Sequence, residues 1–430
     1  MTVLDRKIAP AFKTVDKINV IQPESVLLAD GNILQIIDAG EEEVAMVELV
    51  FPAGRIFESQ KLISFFTSKL MMEGTKTKSG FQISEALDEM GVFMEIEADL
   101  DYSSVKVYST HKHLKRALSV FADVLQNPTF KQSDIDRFSA KQKDKLKVNL
   151  LKNSFVARRK FLANVFPDHK YGAVAISSDY DQITTADLLD FHNSNYKCKP
   201  VTIIAAGRIK EIQIEEIKEF FSGLTLSSEG LNFPEVKKSE IAFKKKQCIT
   251  NKKDALQSAL RVGGLTIPKG HEDYYGLNVV NTILGGFFGS RLMKNIREDK
   301  GFTYGIGSGV FTLKQGSYFF IASEVGADVT KDAMTEIYKE IERLRTEEVS
   351  VKELEIVRNY MLGTFLGGLE NAFSYANKFK GVFLHGLEYS HYDKIIEAIK
   401  TITPAEIKSL ADKYLNPEKL AEVVVGDKYP

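Results

Sequence analysis

Apolar and polar positions along this chain alternate between two periods, and the alternation occurs twice. In HLKRALSVFADVLQ, from His113, and in VTKDAMTEIYKEIERL, from Val329, apolar residues recur at three-to-four spacing, which predicts an amphipathic helix at each place. A strand-like stretch precedes each, SSVKVYST in the first case and GSYFFIASE in the second. A long charged helix follows each, SDIDRFSAKQKDKLKVNLL and SVKELEIVRNYMLGTFLGG. Further on, ITTADLLDFHNSNYKCKPVTIIAAGR starts at Ile183 and ITPAEIKSLADKYLNPEKLAEVVVGD at Ile402. Both predict a Thr N-cap, a helix ending in Tyr, a short Lys/Pro loop and a β-branched strand. The offset is 402 − 183 = 219, and Gly207 and Gly426 keep it (426 − 207 = 219).

Order, offset and turn chemistry agree, so the chain is expected to contain two copies of one α/β unit. SGLTLSSEGLNFPEVKKSE, rich in Gly, Ser, Pro and Lys, is expected to be an exposed connection between them. The predicted organisation is an N-terminal domain over 1–222, a linker over 223–245 and a C-terminal domain over 246–430. The fold class expected is α+β: two homologous α/β domains, each a mainly antiparallel sheet with helices packed on one face, arranged as a clamshell around a cleft.

Composition narrows the function classes. The 430 residues are 44% hydrophobic and 27% charged, ordinary for a folded chain, and 57 basic side chains balance 58 acidic ones. Such balance points away from nucleic acid and from anionic membranes as partners. Cys198 and Cys248 are too few for a disulfide framework and lack metal-ligand spacing. MTVLDRKIAPAFK has no apolar core of a secretory signal, and no apolar run approaches the ~18 residues of a membrane span. The expected location is cytoplasmic, or periplasmic if an export signal has been removed.

Candidate chemistry concentrates in LGGFFGSRLMKNIREDKGFTYGIGSG, residues 284–309. Ser290 is placed to N-cap a short helix, RLMKNIREDK, and Gly301 stands where a left-handed C-terminal residue is wanted. Tyr304 opens a strand in which Gly305, Gly307 and Gly309 leave the backbone open to close approach. The stretch resembles the second-half signature of the insulinase/pitrilysin family of zinc peptidases, which includes the mitochondrial processing peptidases and their bacterial relatives. The matching residues are Gly285 and Gly286, Ser290 to Leu292, and Arg297 followed seven positions later by Tyr304. The resemblance implies that Arg297 and Tyr304 bind substrate across the cleft from the zinc. A guanidinium and a phenol can both donate hydrogen bonds to a peptide carbonyl and favour charge developing on its oxygen.

The same resemblance implies an inverted zinc motif, His-x-x-Glu-His, on the first long helix, ahead of a Gly-Thr pair. Here that helix is SQKLISFFTSKLMMEGT, with Gly74 and Thr75 as the pair. Phe65 and Lys69 then stand at the two His positions and Ser68 at the Glu position. The distal Glu position falls near Lys145, with Asp144 the sole carboxylate close by. An ammonium offers no lone pair and repels a dication, and no histidine precedes His111, so this chain is expected to bind no metal. His111 and His113 flank a strand-to-helix passage and suit turn and cap roles. Glu95, Glu97, Asp99 and Asp101 alternate with Met94, Ile96, Ala98 and Leu100, predicting four carboxylates on one solvated strand face, or an acidic wall inside the cleft. No Gly-x-Ser-x-Gly, Walker or dinucleotide fingerprint stands at a strand-to-helix turn.

The expected function is therefore that of a non-catalytic, substrate-binding subunit of a heterodimeric zinc metallopeptidase. It would supply Arg297 and Tyr304, set by Gly285, Gly286 and Gly301, to zinc held by a similar-sized paralogue bearing His-x-x-Glu-His. An extended or unfolded peptide would be the substrate. A purely structural or peptide-binding protein of the same fold is the alternative.

Overall fold

The computed structural model of the chain describes residues 18–29, 31–227, 229–234 and 243–427. Its first half runs β1 (Glu24–Leu27), β2 (Ile33–Asp38), β3 (Val44–Phe51), α1 (Ile63–Leu70), α2 (Gly80–Met90), β4 (Phe93–Ala98), β5 (Ser103–Thr110), α3 (Leu114–Gln126), α4 (Gln132–Leu150), α5 (Asn153–Val165), α6 (Thr185–Asn195), β6 (Thr202–Gly207) and α7 (Glu211–Ser222). The second half follows the same order with α12 added and no α-helical counterpart of α2 or α7: β7 (Gln247–Asn251), β8 (Gln257–Thr266), α8 (Tyr274–Asn281), β9 (Thr303–Leu313), β10 (Gly316–Gly326), α9 (Thr330–Thr346), α10 (Val351–Gly367), α11 (Ala372–Phe383), α12 (Ser390–Thr401), α13 (Pro404–Tyr414) and β11 (Ala421–Gly426). Of the expected linker, 223–227, 229–234 and 243–245 carry no helix or strand, while Ser228 and 235–242 lie outside the described residues.

Two sheets result, ordered β1-β2-β6-β3-β5-β4 and β7-β11-β8-β10-β9. Apart from the extra edge strand β1, the orders correspond strand for strand. Each holds one parallel pair, β2 with β6 and β7 with β11, in an otherwise antiparallel sheet. The repeated Thr N-caps close as matching capping boxes. Thr184 accepts from the Asp187 amide at 3.2 Å while Asp187 accepts from the Thr184 amide at 2.9 Å. Thr403 and Glu406 do the same at 3.2 and 2.7 Å.

Strand alternation divides each sheet into two faces. Leu34, Val47, Val107 and Ile203 enter one core with α1, α2, α3, α6 and α7 of their own domain. The intervening Ile37, Met46, Ile204 and Ala206 pack instead on Ala372, Ala376 and Phe379 of α11, from the other half of the chain. The second sheet mirrors this. Leu260, Val262 and Val424 face their own helices, whereas Ala259, Val423 and Val425 pack on Ala157, Phe161 and Val165 of α5. The two donated helices start at Asn153 and Ala372, again 372 − 153 = 219 residues apart. Each domain's own helices thus cover one face, and each outer face is closed by a helix exchanged from its twin. No helix among the described residues is long and apolar enough to cross a membrane.

Candidate functional site

The 284–309 segment is built on a close approach between backbone chains. Helix α8 runs on as a wider π-turn, Thr282–Gly286, against the start of β9. A Cβ on Gly285 would lie 2.7 Å from the Ser308 amide nitrogen, so only glycine lets this turn touch the strand. Phe287 then stacks on Tyr360 of α10 with centroids 4.8 Å apart, and Phe288 projects outward, 62% exposed.

Ser290 stands directly ahead of the next helix, and its carbonyl accepts from the Lys294 amide at 2.9 Å. Its hydroxyl, however, is buried without a hydrogen-bond partner among the described residues, so the expected side-chain cap does not form. What anchors the helix start is Arg291, which holds Glu353 of α10 in a two-pronged ion pair, Nε to Oε1 at 2.8 Å and Nη2 to Oε2 at 2.9 Å. The helix then widens into a π-helical stretch, Met293–Asp299, instead of the regular helix predicted, and turns Arg297 toward Tyr304. Gly301, at φ +67°, ends it: the Gly301 amide bonds the Arg297 carbonyl at 3.2 Å and the Phe302 amide the Ile296 carbonyl at 3.0 Å.

Arg297 and Tyr304 are brought together. Nε of Arg297 donates to the Tyr304 carbonyl at 2.9 Å, and the guanidinium lies 4.6 Å from the Phe288 ring centre and 5.7 Å from that of Tyr304. Tyr304 is 91% exposed, the opposite of an ordinary core tyrosine. Among the described residues the terminal nitrogens of Arg297 approach one carboxylate, Glu298, at 4.0 Å, beyond hydrogen-bonding reach. Two aromatic faces and one carbonyl therefore fix the guanidinium while its outer donors stay open. Strand β9 is the edge of its sheet. Sequence reasoning missed Phe288; a phenylalanine in a turn bounded by glycines was its only signal.

The positions that the resemblance aligns with a zinc motif lie in the other domain. On α1, Phe65 packs against Phe66 and Phe138, with centroids 6.0 and 5.6 Å away. The Ser68 hydroxyl is buried and donates to the Phe65 carbonyl at 2.9 Å. Lys69 is exposed, its Nζ 3.5 Å from the Ile96 carbonyl of β4. Phe65 and Lys145 line one cavity of about 620 Å³ together with Arg55, Arg158 and Arg159. These side chains do not fit zinc: they offer it an aromatic ring and cations in place of imidazoles and carboxylates. No hydrogen bond or ring contact among the described residues links Phe65, Ser68 or Lys69 to Arg297 or Tyr304.

The acidic strand differs from its expected form. Strand β4 ends at Ala98, so the four carboxylates do not share one face. Glu95 pairs with Lys106 at 3.4 Å and Glu97 is exposed, while Asp99 closes the following turn by accepting from the Leu100 amide at 2.8 Å. Asp101 is buried between the domains, accepting from the Tyr171 hydroxyl and from the Lys314 amide at 2.8 Å. Burial raises its carboxyl above the ordinary range against those hydrogen bonds. The run of alternating residues carried no sign of the hairpin turn that redirects its second half. His111 and His113 form a short 3-10 turn between β5 and α3.

Two family models match this architecture. The model for Insulinase (Peptidase family M16) covers residues 36–174, and that for the Peptidase M16 inactive domain covers 182–361. The chain belongs to peptidase family M16, the insulinase-like family. It is 24% identical over 354 residues to the uncharacterized zinc protease YmxG of Bacillus subtilis (strain 168), covering 81% of this chain and 84% of that relative. An uncharacterized zinc protease of Rickettsia bellii (strain RML369-C) is also 24% identical, over 389 residues, 88% of this chain and 91% of its own. Among solved structures, a peptidase M16 inactive domain from Pseudomonas fluorescens superposes with TM-score 0.85 at 20% identity, over 95% of this chain and 99% of that one. A protease from Helicobacter pylori superposes with TM-score 0.81 at 16% identity, over 94% and 100%. At these identities the structural likenesses speak for a shared fold.

Proposed function

We propose that this chain is the non-catalytic, substrate-binding subunit of a heterodimeric zinc metallopeptidase. The observation that carries the reading is the contrast between its two domains. The first presents Phe65, Ser68, Lys69 and Lys145 where a zinc site would need ligands and a base. The second holds Arg297 against Tyr304 at 2.9 Å, with donors facing outward from a sheet edge. That geometry is set by Gly285, which lets the turn touch β9, and by Gly301, which ends the helix that carries Arg297. Zinc would be bound by a similar-sized paralogue carrying His-x-x-Glu-His, and an extended peptide, held as an added strand, would be cut between the two subunits. Arg297 and Tyr304 would donate to the peptide carbonyl undergoing attack. The domain limits 1–222 and 246–430 and a cytoplasmic location complete the proposal.

Co-expression with the His-x-x-Glu-His paralogue of the same genome should yield a complex with zinc-dependent peptidase activity. Arg297→Ala and Tyr304→Phe should each lower kcat/KM by ~10²-fold or more, the scale of one lost transition-state donor. Full activity of both variants in a verified complex would remove the assigned role and leave a scaffold protein of the same fold.

A further inference from the structure

We propose that the cavity beside the degenerate zinc helix binds a carboxylate-rich, acidic peptide segment. Four cations from three elements line it: Arg55 ahead of α1, Lys145 on α4, and Arg158 and Arg159 on α5. Among the described residues Arg55, Lys145 and Arg158 make no side-chain hydrogen bond or ion pair. Arg159 donates to the Ala175 carbonyl and lies 5.3 Å from the Phe155 ring centre, and the carboxylate that acts on it, Asp179, is already paired with Lys61 at 3.2 Å. Burial lowers the basicity of Arg159, and the neighbouring Arg55 and Arg158 lower it further against Tyr180 and Asp179, which raise it. Arg261, facing the same group from β8, is affected alike by burial and then by Arg158.

Two carboxylates share the cavity, and both are turned to their own loops. Glu58 is buried and accepts from the Ser64 amide and hydroxyl at 3.1 and 2.6 Å. Asp99 accepts from the Leu100 amide at 2.8 Å. Glu58 also acts electrostatically on Arg55, yet four cations face two carboxylates, so the cleft's balance is positive although the whole chain carries −1. A low-dielectric cleft lined by one sign concentrates the field and attracts the opposite ion. Guanidinium groups are shaped to take carboxylates in pairs of hydrogen bonds.

The shape favours a peptide over a small anion. The cations are spread around about 620 Å³ and interleaved with Phe65, Phe155 and Tyr318. Ala98, at the end of edge strand β4, also lines the cavity, placing an unpaired strand edge alongside. A site built around zinc needs imidazole or carboxylate donors; with Lys145 among its walls, the same hollow is suited to carboxylates brought by a ligand.

This inference rests on the proposed function in taking a peptide as ligand, and a measurement on the isolated chain separates the two. Fluorescence anisotropy of the full chain with labelled Glu/Asp-rich, neutral and Lys-rich peptides of equal length should show the acidic peptide binding at least ~10-fold tighter than either of the others, with affinity falling as salt rises. Arg158→Glu and Lys145→Glu, both at exposed positions, should each remove that preference by ~10-fold while circular dichroism stays unchanged. Equal binding of acidic and basic peptides, no effect of either variant, or displacement by inorganic phosphate or a single-stranded oligonucleotide as effective as by acidic peptide would each overturn it. Charge-selective binding without activity in the paralogue pair would sink the subunit role alone; activity in the pair without charge preference would sink this inference alone.

Discussion

Glu48 on β3 and Lys380 on α11 meet at 2.8 Å across 332 residues of chain, and Glu48 is 1% exposed. The pair fastens the exchanged helix to the sheet of the opposite domain, with the Ser104 hydroxyl also bonded to the carboxylate. A buried ion pair adds little over apolar packing, but losing one partner strands a charge.

Lys380→Ala is accordingly expected to destabilise the protein by about 3–5 kcal/mol. The double variant Glu48→Gln with Lys380→Met should recover a large part of that loss. Urea unfolding of the three proteins checks it; a single variant as stable as the parent would show the pair to be dispensable.

Gly285→Ala is expected to act through overpacking, since the new methyl would sit 2.7 Å from the Ser308 nitrogen. A cost of about 1–3 kcal/mol and a displaced β9 should follow. Thermal unfolding reads the first effect. The second should appear as lost peptide cleavage in the paralogue complex beyond what the lower Tm explains.

Phe288 gives a graded test of the aromatic clamp. Phe288→Ala removes one of the two rings beside Arg297, an interaction of about 0.5–1 kcal/mol at an exposed position. Cleavage by the complex should fall only ~2–5-fold, with Phe288→Tyr close to the parent. A loss as deep as that of Arg297→Ala would mean that Phe288 contacts substrate directly.

Acid sensitivity should come from buried histidines. Burial pushes His192 down to about 4, with its ring nitrogen 2.8 Å from the Leu125 carbonyl, and His391 likewise to about 4. Unfolded histidine titrates near ~6.5, so below that pH the unfolded chain binds more protons than the folded one. The stability these groups contribute is complete above that pH and is lost as pH falls toward about 4. Each contributes a slope of up to ~1.4 kcal/mol per pH unit in that window. Tm measured from neutral to mildly acidic pH should drop, and His192→Gln should flatten the curve; an unchanged curve would mean that the ring is protonated in the folded state.

Local signals in the sequence carried over well into local structure. Thr184 and Thr403 cap helices because a hydroxyl three residues ahead of Asp or Glu satisfies amides within one turn, which needs no tertiary partner. Gly301 takes the left-handed conformation for a reason equally confined to its neighbours. The Ser290 cap, an equally local expectation, does not form, and the helix start is held instead by Arg291, which reaches Glu353 on a helix remote in sequence. The acidic strand was misread because alternation continues through a tight hairpin as readily as along a strand, and Asp101 answers to Tyr171 and Lys314, not to its neighbours.

By itself, then, the sequence determined the duplicated unit, its family, and the side chains, Phe65, Ser68, Lys69 and Lys145, that stand where the resemblance aligns a zinc motif. Periodicity and spacing encode those features residue by residue. Only the tertiary structure decided that α5 and α11 change places, that Phe288 joins Arg297 and Tyr304, and that four cations converge on one cavity. An apolar stripe states that a helix must be buried without naming the surface that buries it. A charge count, near zero over the whole chain, cannot show where in space the cations gather.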